Sequence, residues 1–255
     1  MKKSYQISEL QSSKRLGLFN LQEEYATKVR DKLGITMSQS LMEFTSFYKR
    51  VGCNDWDFNY KNPIWQDYIN RVEEGNSPGK LAFEINCAIE EERTKQKKYF
   101  GCFRYDWIEE KKTVRIHFKN NDKSNSGPLS SSRIDNRLAE LKEMFTEVKS
   151  KHPSATTVEG GTWLYNYSAY CRLFPSSYIN NSEVEEPPFL RSMGIWGQFL
   201  NSEKRINEDR VNEFMKKVDL AETREEFLYA FPFKIIKHKG TINDFYNLYQ
   251  IDYLL

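Results

Sequence analysis

The stretch from Phe100 to Lys119 constrains this chain more than any other. Phe100-Gly101-Cys102-Phe103-Arg104-Tyr105-Asp106-Trp107 alternates apolar and polar residues, and so does Thr113-Val114-Arg115-Ile116-His117-Phe118-Lys119. Between them lies the charged run Glu109-Glu110-Lys111-Lys112. Successive side chains of a strand point to opposite faces, so period two on both sides of a short polar linker specifies a β-hairpin. The simplest register sets Arg104 opposite His117 and Asp106 opposite Arg115. Phe103, Tyr105, Trp107, Val114, Ile116 and Phe118 then share a core face. The other face carries Cys102, Arg104, Asp106, Arg115, His117 and Lys119. That face reads in two ways: a solvated surface with cross-strand ion pairs, or a basic, histidine-containing floor for an anionic ligand.

The segment after the hairpin adds neighbours to that floor. Residues 120–128 form a polar loop, either a lid or a plain connection. Ser132 with Asp135 predicts a helix cap, and Ile134, Leu138, Leu141, Phe145 and Val148 give the helix an apolar stripe. Arg133 and Arg137 stand one turn apart near its amino end, where free N–H groups favour anions. His152-Pro153 ends the helix. Ala155 to Val158 predicts a short strand, and Glu159-Gly160-Gly161-Thr162 a loop at a sheet edge, where ligands often bind. The adjacent glycines Gly160 and Gly161 permit a turn that offers backbone N–H groups. Trp163 opens an aromatic run reaching Tyr178, which is either a packed connector or the lining of a pocket.

The rest of the chain is mostly helical. Asn20 with Glu23 suggests a capping box for a helix closed by Gly34, and Ser38 or Ser40 the start of another. Asn62-Pro63 looks like an N-cap with proline at the first helical position. The break at 75–79 precedes a helix over 80–98. Beyond a polar, acidic loop at 180–188, helices are expected at 207–218, after Thr223 and after Thr241, with a strand over 233–237. The expected fold is α+β. A helical amino-terminal region packs with a small mixed or antiparallel sheet, from 99–119, 155–159 and 233–237, and with further helices. Residues 1–98 and 99–255 would be its two regions within one compact globular unit.

Composition narrows function by exclusion. Charged residues make up 29% of the 255 and aromatics 15%, which is a soluble, foldable composition rather than a disordered one. A net charge of +2 gives no global case for nucleic acid. The four cysteines lack a CxxC spacing, so free thiols are expected, with no disulfide framework and no metal site. No window approaches the roughly 18 apolar residues of a membrane span, and a cytoplasmic protein is the expectation. Neither GxGxxG nor GxxxxGK[ST] occurs. Of three histidines, His152 and His238 read as surface residues at element ends, which leaves His117 as the candidate acid or base.

These residues together suggest binding of a phosphate-containing or other anionic small molecule, with turnover left open and no cofactor. Arg104, Arg115 and His117 would form the floor, and Arg133 and Arg137 would approach from the helix start. Gly160 and Gly161 would supply N–H groups, and Trp163 an aromatic wall. One alternative is a protein-interaction or effector-type module without catalysis. Another is RNA or single-stranded nucleic acid binding, which is disfavoured because the hairpin aromatics fall on the face opposite its arginines.

Overall fold

The structure is a computed structural model that describes residues 9–55, 57–94, 97–122, 124, 126–186 and 194–251. The chain divides into two compact units, one from Met1–Gln96 with Glu186–Pro232 and one from Lys97–Glu185 with Phe233–Leu255. The fold is α+β: amino-terminal helices, a small mixed sheet and further carboxyl-terminal helices. Among the described residues no helix is long and apolar enough to cross a membrane.

The first unit is helical: α1 (Glu9–Leu33), α2 (Met37–Phe44), α3 (Phe47–Arg50), α4 (Pro63–Glu73) and α5 (Pro78–Thr94), with α9 (Glu208–Leu220) and α10 (Arg224–Tyr229). Gly34 ends α1 with φ +64, its N–H on the Arg30 carbonyl at 2.9 Å, a conformation that glycine adopts without strain. Asn20 is no cap, because α1 runs through it. Glu23 instead accepts from the Ser77 hydroxyl (2.7 Å) and the Gly79 N–H (2.8 Å), where α5 begins. Thr36, not Ser38 or Ser40, caps α2. Asn62 caps α4 with Pro63 at its first position, and Thr223 with Glu226 forms the capping box of α10. Aromatic rings fill the core. Tyr25 is fully buried against Trp196, Phe214, Phe227 and Phe231, and its hydroxyl donates to the Phe227 carbonyl at 2.9 Å.

The second unit is built on five strands: β1 (Phe103–Ile108), β2 (Thr113–Phe118), β3 (Thr157–Thr162), β4 (Ser182–Val184) and β5 (Ile236–Thr241). Their order is β1-β2-β3-β5-β4. The hairpin has the register its alternation predicts, Arg104 facing His117 and Asp106 facing Arg115. β2 and β3 are parallel and joined through α6 (Ile134–Lys151), while β5 is antiparallel to both β3 and β4. One face of the sheet packs on α6 and α11 (Ile242–Leu248), with α7 (Ser168–Cys171) and α8 (Ser176–Asn180) completing the same core. Phe103, Val114, Ile116 and Val158 meet Leu141, Met144, Phe145 and Phe245 there.

Four local expectations are corrected. The Gly160-Gly161 pair is not a loop but lies within β3. The last strand begins at Ile236 instead of Phe233, whose ring packs on Trp163 and Tyr167. The acidic segment after Asn180 supplies β4. Neither Ser132 nor Asp135 caps α6: a turn of tighter helix over Ser131–Arg133 leads into it, with Arg133 at the N-cap.

Candidate functional site

The face of the sheet turned away from α6 and α11 carries most of the polar residues singled out by the hairpin alternation. Register and alternation place Arg104, Asp106, Arg115, His117, Glu159, Lys237 and Lys239 on it. Asp106, Arg115, Glu159 and Lys239 form one row across four strands, with charge alternating in sign. Every cation of the hairpin floor except Lys119 has a carboxylate on it. Arg115 grips Glu159 through Nη2 (2.6 Å) and Nε (2.7 Å). Asp106 takes the Arg104 guanidinium on one oxygen and the His117 Nε2 on the other, at 2.7 Å. Partial burial pushes the Asp106 carboxyl up, but His117 and then Arg104 outweigh it and hold its pKa well below the usual range. The side chains stay half open, Asp106 51% and Arg115 47% exposed.

Arg133 and Arg137 belong to a separate, enclosed cluster. Asp122 leaves the polar loop and inserts between them, its Oδ2 2.8 Å from Arg133 Nε and 3.1 Å from Arg137 Nη2. Its side chain is 3% exposed. The anion at the start of α6 is thus the protein's own carboxylate. The Ser124 backbone N–H (2.8 Å), followed by the Ser124 hydroxyl and Arg133, brings Asp122 down to about 2, against burial. Arg137 also meets Glu140 at 2.8 Å and touches the Cys102 sulfur. Glu140 in turn accepts the Cys102 N–H at 3.0 Å. Burial pushes both the Cys102 thiol and the Glu140 carboxyl up. Gly101 completes the knot: φ is +57, and a Cβ there would lie 1.9 Å from the Glu140 carboxyl carbon. The cluster ties loop 119–122 and the entry to β1 onto α6.

Of the remaining candidates, Gly160 and Trp163 are packing residues. Gly160 is buried beneath the hydroxyls of Tyr165 and Tyr178, which share one hydrogen bond of 2.7 Å. A Cβ at Gly160 would stand 2.6 Å from both oxygens. Gly161 points to the open face beside Lys237. Trp163 stacks on Phe233 at 6.1 Å between ring centroids. His238 is not a surface residue. It is 5% exposed, between Tyr165 and Tyr178, with Nδ1 3.1 Å from the Tyr178 carbonyl. Burial lowers its pKa from 6.5, outweighing the Tyr178 and Asn181 backbone contacts. His152 closes α6 and stacks on Trp107 at 4.6 Å.

The structure brings Arg104 and His117 together through Asp106, holds Arg115 one strand over on Glu159, and keeps Arg133 and Arg137 in the enclosed cluster. Sequence reasoning missed the carboxylates that partner these cations: Glu159, Asp122 and Glu140. Only Asp106 was signalled, by its place opposite Arg115. Among the described residues no group of three or more His, Cys, Asp or Glu is placed to hold a metal ion. No family model, no curated protein and no solved structure matches this chain.

Proposed function

We propose that the protein is a non-catalytic interaction module that engages a partner protein through the charged face of its sheet. The observation that carries this reading is the row Asp106–Arg115–Glu159–Lys239, four strands wide, alternating in sign and partly exposed. Such a row favours a partner surface with the complementary order of charges and penalises others, which gives specificity more than raw affinity. A small anion at Arg104, Arg115 and His117 would compete with the carboxylates of Asp106 and Glu159 already seated on them. A nucleic acid backbone would meet those same carboxylates, with the hairpin aromatics turned to the opposite face.

The test sets these readings against each other. Titration calorimetry with nucleotides and phosphosugars is expected to give no saturable heat. Cross-linking in an extract of the protein's own cells is expected to capture a partner that a double variant, Arg115→Glu with Lys239→Glu, loses. Saturable binding of a phosphate compound, abolished by Arg104→Ala with Arg115→Ala, would sink this reading in favour of anion binding.

A further inference from the structure

β1 ends the strand order, and beyond Phe103 its outer backbone groups are open among the described residues. The Lys119 N–H donates to the Cys102 carbonyl at 2.8 Å, so residues of even number in β1 direct their N–H and C=O groups to β2. Those of odd number direct theirs outward. Phe103 confirms the parity: its outward N–H and C=O are both bonded to Phe100, at 2.9 and 2.7 Å. Beyond that pair the edge continues through Tyr105 and Trp107, whose outward backbone groups have no partner among the described residues. On the helix side, Phe100 and Glu147 line a shallow depression of about 450 Å³ with Thr146 and Ser150. Both of those residues touch Tyr105: the Phe100 ring stacks on it at 6.3 Å, and Glu147 accepts from its hydroxyl at 3.4 Å.

We propose that this edge is a strand-addition site for an extended peptide of another protein, with a lysine or arginine opposite Asp106. The class of occupant follows from the hydrogen bonds. Two N–H/C=O pairs set about 7 Å apart along one line are matched by a second extended backbone, and not by a helix, a lipid or a nucleic acid. A second copy of this chain is disfavoured by charge. The antiparallel self-pairing that uses all four groups sets Tyr105 against Trp107 of the other copy. It then places Asp106 directly opposite Asp106, at the close, non-hydrogen-bonded spacing of about 4.5 Å between Cα atoms. Centring the pairing on Tyr105 avoids that clash, but it sets Trp107 against Phe103, whose outward groups Phe100 already holds. Asp106 already carries Arg104 and His117 but keeps half of its side chain exposed, so a basic residue at the central position of a foreign strand adds a cation to that carboxylate where a second Asp106 would add an anion. The depression beside Tyr105 leaves room for a side chain of the added strand on the helix side.

This inference rests on reading the chain as an interaction module but uses the sheet edge instead of its face, so the two fail separately. The first measurement is amide hydrogen exchange on the full chain. The Tyr105 and Trp107 amides are expected to exchange at least about a hundredfold faster than those of Arg104 and Asp106 in the same strand; comparable protection would overturn the proposal. The second is panning of a random heptapeptide library. Enriched peptides are expected to carry Lys or Arg centrally, to slow exchange at Tyr105 and Trp107, and to bind several-fold more weakly to Asp106→Lys, which instead selects acidic peptides. Binding is expected to survive Arg115→Glu with Lys239→Glu, the pair that disables the face. The proposal is overturned if no peptide is enriched, or if enriched peptides leave the two amides exchanging freely. It is equally overturned if sedimentation shows the chain itself dimerising with those amides protected.

Discussion

The two sides of one sheet treat the same residue types in opposite ways. On the helix-covered side, Arg137 is enclosed with Asp122 and Glu140, His238 sits among tyrosine rings, and Gly160 leaves room for two hydroxyls. On the open side, Arg115, His117 and Gly161 have solvent as well as neighbours. A polar group in an enclosed site depends on its fixed partners, because water cannot replace them. On the open face a broken pair is rehydrated. The covered side therefore holds the structure, and the open side is free to meet something else.

The comparison breaks most visibly at the arginines. Arg137→Ala should cost about 3–5 kcal/mol in urea unfolding, because it leaves Glu140 without its cation and the enclosed Asp122 with Arg133 alone. Arg115→Ala, whose partner Glu159 remains accessible, should cost less than about 1 kcal/mol. Equal losses would mean that the open face is structural. Acid tests the same cluster. Asp122 has its folded-state pKa depressed, so its contribution is fully present above its ordinary value of 3.8 and is lost as pH falls through about 2.

The glycines give the next contrast. Gly160→Ala drives a methyl group into the Tyr165 and Tyr178 hydroxyls and should cost about 1–3 kcal/mol as overpacking. Adding Tyr178→Phe should recover part of that. Gly161→Ala meets the Lys237 and Ile235 side chains at ordinary contact distances of 3.4 and 4.0 Å, and is expected to be neutral or mildly stabilising in thermal unfolding. His238 sharpens the point with pH. A depressed folded-state pKa at His238 means that the unfolded chain binds the proton more readily there. Its contribution is whole above 6.5 and is lost as pH falls below that value. The loss is at most about 1.4 kcal/mol per pH unit. His238→Gln should flatten that limb of the stability profile. Smallest of all, a double-mutant cycle on Arg115 and Glu159 should give a coupling below about 1 kcal/mol that shrinks with added salt.

Local signals made much of the fold legible. The hairpin, its register and its two faces followed from alternation over Phe100–Lys119. α6 followed from its apolar stripe, and α4, α10 and α11 from cap chemistry at Asn62, Thr223 and Thr241. β4 was hidden because Ser182, Glu183 and Val184 are all exposed and give no alternating apolar signal. Asn20 and Glu23 misled because a capping pattern inside a longer helix has no free N–H groups to cap. Of the candidate site, the cations were legible and their carboxylate partners were not. Arg137 and Asp122 are 15 residues apart, and Arg115 and Glu159 are 44; no periodicity links such pairs.

What the sequence by itself determined was which residues share a face: period two and period 3.6 depend only on near neighbours along the chain. Which face is covered, which arginine is enclosed and which strand edge is left open were decided by the tertiary structure. Those outcomes depend on elements meeting across long separations, as when β5 joins β3 and places His238 against Gly160. The buried Arg137 and the half-open Arg115 are the same residue type, each with a carboxylate partner. Only the packing of α6 over one side of the sheet separates a structural clamp from a surface that can be offered to a partner.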